Sequence, residues 1–256
     1  DRGLIGGGLG RKELAIVIAS AGLGKSIYLA NQAVKCLVEN LKVAFVTLEM
    51  SEDRVAQRID SISTLIPQAT IGNEREQTLL KQRHKIFQKT FNKADLRIKE
   101  FPTGNANINS VRAWLNQLQN YEGFVPDVVI VDYLELLRPL RDGMSEYEGQ
   151  QRVAEELRGL AMVKNILVWS ASQVNRSGRG ARIVTDEHLA DSYGKIRVVD
   201  LAVSLNQDEE EFDEGMMRIY VVKARNGKSR HLIPITINYN TLVMQEIENG
   251  SQESEI

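Results

Sequence analysis

Short apolar runs alternate with amphipathic stretches along most of the chain, the pattern of a mainly parallel sheet with helices on both faces. ELAIVIAS (13–20) reads as a strand, and the residues from about 25 to 39 as a helix. VAFVTLEM (43–50) is the next strand. The helix after it opens with Glu52 and Asp53, acids that a helix dipole favours at that end. Residues 74–93 are polar with helical spacing, and LRIKEF (96–101) reads as a strand. A helix over 109–121 sets Val111, Trp114, Leu115 and Leu118 on one side. VVIVDY (128–133) is almost unbroken β-branched sequence, as expected of a strand buried on both faces. A helix at about 147–164 leads to the strands ILVWSAS (166–172) and DLAVSLN (200–206).

The pattern changes near the end. RIYVVKAR, the turn dipeptide Asn226-Gly227 and KSRHLIPITI together predict a β-hairpin. Pro234 lacks a ladder N–H, so the second strand is expected at a sheet edge. The acidic run DEEEFDE (208–214) reads as a solvated connection, and the tail from about 245 as frayed. Neither a low-complexity linker nor a fixed-period repeat divides the chain. The expectation is one α/β domain over 1–256 with an antiparallel hairpin added late.

Composition narrows this picture only slightly. With 256 residues, 43% hydrophobic and 26% charged, the chain is of ordinary globular make-up and can bury a sizeable core. A net charge of −2 gives no global basic field, so any nucleic acid must be held by a local patch. The single cysteine, Cys36, reads as a small core residue. His84, His188 and His231 are scattered, without metal-ligand spacing, and Asp127 reads as a capping residue. No run is long enough to span a bilayer and the start has no signal layout, so a cytoplasmic protein with no membrane partner is expected. A start without Met fits a piece of a longer chain.

The candidate chemistry is concentrated at predicted strand ends. ASAGLGKS (19–26) follows the first strand and opens a helix, the context of a phosphate loop with alanine in place of its first glycine. Backbone N–H groups of Ala21, Gly22, Leu23, Gly24, Lys25, Ser26 and Ile27 would wrap phosphates at the helix N-terminus. Lys25 would neutralise phosphate charge, and the Ser26 hydroxyl would bind Mg²⁺. Asp132, after four aliphatics, would supply a second carboxylate on the metal side. Glu49, at the end of the second strand, is placed to act as general base on water. Gln173, after ILVWSAS, could bond a γ-phosphate or its water. Lys223 and Arg225 lie two apart at the hairpin tip; phosphate contact and an edge-strand solubility device both fit them. Arg176, Arg179 and Arg182 in one loop, and Arg138 and Arg141 in another, fit either a nucleic-acid backbone or a solvated surface.

Taken in order, GGGLGRKELAIVIASAGLGKS, FVTLEMS, VVIVDYLELL, SASQVNR and VVKARNGKS resemble the C-terminal motor domain of the DnaB-type replicative helicases. The resemblance runs from about Gly6 to about Ile237, and it includes the alanine at the first loop position. It implies a RecA-like core in a homohexamer that hydrolyses ATP with Mg²⁺ and moves on single-stranded DNA, 5′ to 3′. Residue by residue, it makes Lys25 and Ser26 the phosphate and metal ligands, Glu49 the catalytic base, Asp132 the Walker B carboxylate and Gln173 the sensor. Lys223 and Arg225 become the arginine-finger element that serves a neighbouring subunit. The DNA loops fall near 138–149 and 174–186, and a primase and a helicase loader become candidate partners. The family's N-terminal helical domain and linker helix have no counterpart here, and the loop lacks the Arg-Pro pair of bacterial members, as in a phage-type enzyme. A RecA/RadA-like recombinase forming filaments, and a nucleotide-gated loader without unwinding activity, are the alternatives.

Overall fold

In the computed structural model, residues 8–174, 183–185 and 193–247 are described. The strands β1 (Leu14–Ala19), β2 (Lys42–Thr47), β3 (Asp95–Glu100), β4 (Val128–Asp132), β5 (Leu167–Gln173) and β6 (Leu201–Asn206) are joined in parallel. β7 (Met216–Ala224), β8 (Leu232–Asn238) and β9 (Val243–Glu246) continue the sheet antiparallel, in the order β3-β2-β4-β5-β1-β6-β7-β8-β9. The helices are α1 (Lys25–Val38), α2 (Glu52–Thr64), α3 (Glu74–Thr90), α4 (Ile108–Glu122), α5 (Glu146–Lys164), α6 (Tyr193–Val198) and α7 (Glu209–Glu214).

Strand alternation divides the core into two layers. Leu14, Ile16 and Ile18 of β1 face one side, with Val111, Trp114, Leu115 and Leu118 of α4 and Val153, Leu157 and Leu160 of α5. Ala15, Val17 and Ala19 face the other, with the apolar side of α1 and with Val55, Ile59 and Ile62 of α2. There Trp169 meets Tyr28 edge-on at 5.8 Å, which seats α1, and so the loop before it, firmly on the sheet. Cys36 is buried in this layer, and burial pushes its thiol up to about 12. Asp127 ties the strand starts together: its Oδ2 accepts from Lys42 N at 2.9 Å and its Oδ1 pairs with Arg11.

Several expectations need correction. β2 stops at Thr47, and Leu48–Met50 form a bend in which the Thr47 hydroxyl donates to Met50 O at 2.8 Å, so Glu49 stands just beyond the strand. The acidic run is a helix, α7, because Asp208 and Glu211 form a reciprocal capping box and Gly215 takes the left-handed conformation at its end. Pro234 is not on the edge strand, since β9 lies outside β8. The proline is tolerated because it stands at the end of the β8–β9 ladder, where only its carbonyl is used, accepting from Ile247 N at 3.0 Å. The tail expected to fray from 245 begins instead in strand, through Glu246. The hairpin loop is wider than Asn226-Gly227 alone. Ala224 N donates to Ser229 Oγ and Arg225 N to Asp200 O, which opens the strands early.

Candidate active site

The register brings the candidate residues to one edge of the sheet. Ala19 lies beside Gln173 across β1–β5, and Thr47 beside Asp132 across β2–β4. Between them a cavity of about 290 Å³ is lined by Ala21, Gly22, Gly24, Lys25, Ser26, Ile27, Glu49, Met50, Arg58, Tyr133 and Gln173. Gly22 and Gly24 both have φ of 82°, the left-handed region in which a side chain is strained, and this turns the loop into the first turn of α1. Leu23 belongs to the same loop, and its N–H donates to Ser20 O. Met244 of β9 approaches Gly24 closely, so the sheet's edge closes one flank of the loop.

Lys25 Nζ donates to the carbonyls of Ala19 and Ser20, each at 3.2 Å. Burial lowers its pKa, against the opposing pull of Glu135, Asp132 and Glu49. Asp132 is 1% exposed, and neither carboxylate oxygen has a hydrogen bond of good geometry. Burial raises its pKa and Glu49 adds to that, while the nearby Ser26 hydroxyl, Arg58 and Lys25 oppose it. A buried carboxylate with two unsatisfied oxygens beside a hydroxyl is a donor set that suits a hard divalent cation such as Mg²⁺.

Arg58 was not anticipated. It stands on α2, which packs against α1, and it feels both Asp132 and Glu49. In sequence it is one of two arginines on a polar helix; only the α1–α2 packing sets it apart. Glu135 was also missed. It lies in the short 3₁₀ turn Leu134–Leu136, and its Oε1 accepts from the Ser172 hydroxyl at 2.6 Å and from Gln173 N at 3.1 Å.

The other candidates are not drawn into this cavity. Lys223 Nζ donates to the carbonyls of Ile196 and Arg197 at 2.8 and 2.9 Å, and Arg225 Nη1 meets Asp200 Oδ1 at 2.8 Å. Burial lowers the Lys223 pKa, and Arg225 lowers it further. Lys223 pairs with Ala202, which is level with Ile16, and Asp200 bonds Leu14 N. Arg225 is thus drawn, through Asp200, to the end of the sheet opposite the phosphate loop, roughly 16 Å along five residues of β1, whereas Lys223 is level with Ile16, three residues or roughly 10 Å from Ala19. Arg141 lines a groove with Tyr133, Gln150 and Gln173, whereas the Arg138 guanidinium turns back beside Gly104. Arg176, Arg179 and Arg182 lie outside the described residues.

A phosphate loop after the first strand of such a sheet, with an acid ending the buried strand two places away across β5, defines a RecA-like P-loop NTPase core. The chain belongs to the DnaB-like helicase C terminal domain family, whose model matches residues 4–245. A DnaB-like replicative helicase of Enterobacteria phage T4 is 28% identical over 225 residues, covering 86% of this chain and 47% of that one. A replicative DNA helicase DnaB of Leifsonia xyli is 28% identical over 238 residues, covering 87% and 50%. The chain therefore spans about half the length of the curated relatives it matches. Among solved structures, one described as an ATPase domain superposes with a TM-score of 0.80 at 17% identity, covering 95% of this chain and 88% of that one. A DnaB-like replicative helicase described with its interactions with primase gives 0.76 at 16% identity, covering 93% and 58%. Among the described residues, no helix is long and apolar enough to cross a membrane.

Proposed function

We propose that this chain is the ATP-hydrolysing motor of a replicative DNA helicase that assembles head to tail and moves along single-stranded DNA in the cytoplasm of a bacterial or phage-infected cell. One observation carries the reading. Ser26, Lys25, Glu49, Arg58 and Gln173 line one cavity, and the buried, unsatisfied Asp132 lies behind it, within electrostatic reach of the first four. Backbone N–H groups from Ala21 to Ile27 and the Lys25 ammonium hold the phosphates. Ser26 and Asp132 hold Mg²⁺, which when bound offsets charge on the phosphate oxygens. Glu49 polarises the attacking water, and Arg58 and Gln173 bind the oxygens on which charge develops. Lys223 and Arg225 reach a neighbour's phosphate, because within one chain they are bonded at α6 and Asp200, apart from their own phosphate loop. Loops 138–149 and 174–186 contact DNA, through Arg141 in the first and Arg176, Arg179 and Arg182 in the second. Primase and a loader are the proposed protein partners.

The test is ATP turnover with and without single-stranded DNA, followed by strand displacement on a forked duplex. DNA-stimulated turnover that Lys25→Ala abolishes supports the reading. Tight ATP binding without turnover on any DNA would make the chain a nucleotide-gated module instead. Electron microscopy with a non-hydrolysable ATP analogue and DNA separates a six-membered ring from a recombinase-like filament.

A further inference from the structure

Lys195 is 2% exposed, an unusual place for an ammonium group. Its Nζ lies 2.9 Å from each of Glu135 Oε1, Gln150 Oε1 and Ser172 Oγ, so all three of its donors are used. None of these partners is on its own helix: Glu135 follows β4, Ser172 is the last residue but one of β5 and Gln150 is in α5. Glu135 also receives the Gln173 N–H and is the first charge that Lys25 feels, so it stands between the phosphate loop and α6. Its second oxygen, Oε2, is buried without a partner, so the carboxylate can shift its bonds as neighbours move. A packed apolar side chain would fill the Lys195 position at lower electrostatic cost, and an ion pair buried there fixes one arrangement of three elements.

The residues that follow Lys195 in the same helix, Ile196 to Val198, hold cations of the hairpin side through their carbonyls. Lys223 Nζ is bound by the carbonyls of Ile196 and Arg197, and Arg158 Nη1 by that of Val198 at 3.0 Å. Arg158 also pairs with Asp200, which pairs with Arg225. Helix α6 has six residues, a body roughly 9 Å long. The Lys195 side chain fastens it to the chain's own sensor strand, and the carbonyls of the next three residues fasten it to Lys223 and, through Arg158 and Asp200, to Arg225.

We infer that α6 is a rigid link between a subunit's own nucleotide site and the cations it presents to the next subunit, and that Lys195 is the positioning residue that fastens it. This rests on the nucleotide reading given above. When phosphate displaces Lys25 and Gln173, Glu135 shifts with them; the ammonium of Lys195 carries α6 along, and the carbonyls of Ile196 and Arg197 carry Lys223. Hydrolysis in one subunit thereby sets the position of the cations on which hydrolysis in its neighbour depends.

The experiment is amide hydrogen exchange on the 256-residue chain, diluted until light scattering reports a monomer, with and without AMP-PNP and Mg²⁺. In the wild type, the nucleotide is expected to protect 20–28 and to change exchange over 219–231 by about fivefold or more, the lower end of allosteric couplings. Lys195→Met is expected to keep the first effect and lose the second, with wild-type exchange in α5 and β5 before nucleotide is added. Should Lys195→Met fail to fold, the neutral pair Glu135→Gln/Lys195→Met removes both charges and is read in the same way. A hairpin response that persists in the variant, or one missing from the wild type while 20–28 is protected, overturns the link. A wild type whose residues 20–28 ignore nucleotide overturns the nucleotide reading itself, which is a distinct result.

Discussion

Asp200 and Arg225 are joined twice: the guanidinium meets the carboxylate at 2.8 Å, and the Arg225 N–H donates to the Asp200 carbonyl at 2.8 Å. Asp200 is 4% exposed and also accepts from Leu14 N and pairs with Arg158. One buried carboxylate thus anchors the start of β1, helix α5 and the hairpin tip. Asp200→Asn keeps an acceptor for Leu14 but leaves two guanidinium groups without their counter-charge. The expected loss is about 2–3 kcal/mol, read from urea unfolding midpoints. Turnover by the assembled protein should fall further than nucleotide affinity, because the phosphate loop is untouched. An affinity loss as large as the turnover loss would mean that the lesion spreads through the whole sheet.

The proposed service of Lys223 and Arg225 to a neighbour's phosphate loop predicts complementation between defective subunits. Arg225→Ala and Lys25→Ala proteins should each be inactive alone. Mixed, they should recover part of the activity, because an Arg225→Ala subunit retains an intact phosphate loop that a Lys25→Ala neighbour can serve. If the Arg225→Ala protein hydrolyses ATP at the wild-type rate, the finger role is wrong.

Arg58 lines the phosphate cavity from within the same chain. Arg58→Ala should lower turnover by about 10²–10³ with little change in KM, the signature of a donor that acts on developing charge. Arg58→Lys should recover little, since a planar fork that spans two oxygens is replaced by a point charge. In the mixing assay, Arg58→Ala should behave like Lys25→Ala, as a lesion in the receiving site. Rescue of Arg225→Ala by Arg58→Ala would support that grouping.

The two shifted groups at the loop give opposite proton signatures. Burial raises Asp132, and a cation on its oxygens lowers it again. Just above the ordinary carboxylate range, the free protein holds a proton that the Mg²⁺–nucleotide complex has lost. Binding there releases protons and weakens as pH falls. Burial lowers Lys25, and phosphate raises it again. Just below the ordinary lysine range, binding takes up a proton and weakens as pH rises. Calorimetry in buffers of different ionisation enthalpy measures both, with Asp132→Asn and Lys25→Met as references that remove one signature each. Identical proton counts in wild type and both variants would exclude these groups as ligands.

The legible parts of this molecule were those whose chemistry is local in the chain. ASAGLGKS needs only a strand before it and a helix after it, and VVIVD declares both its burial and its terminal acid. Arg58 and Lys195 were not legible because their significance comes from packing: each is an ordinary cation on a polar stretch until α2, or α6, is laid against the sheet. Strand β9 was missed because VMQE is short and half polar, and its pairing is set by the Asn238–Leu242 turn. Pro234 misled for a related reason, since a proline rules out one ladder hydrogen bond and says nothing of a further strand beyond it.

If the hairpin cations serve a neighbour's phosphate loop, as proposed, their separation from the chain's own loop also restricts how copies of the chain can associate. A two-fold dimer would complete both sites only if a single interface held both surfaces, hairpin tip against phosphate loop in each direction. Surfaces set apart along the sheet favour a heterologous contact for Lys223 and Arg225, repeated in one direction. An open row of such contacts always carries one unserved phosphate loop at its first member and one idle pair of cations at its last, and only closure on itself leaves every site complete.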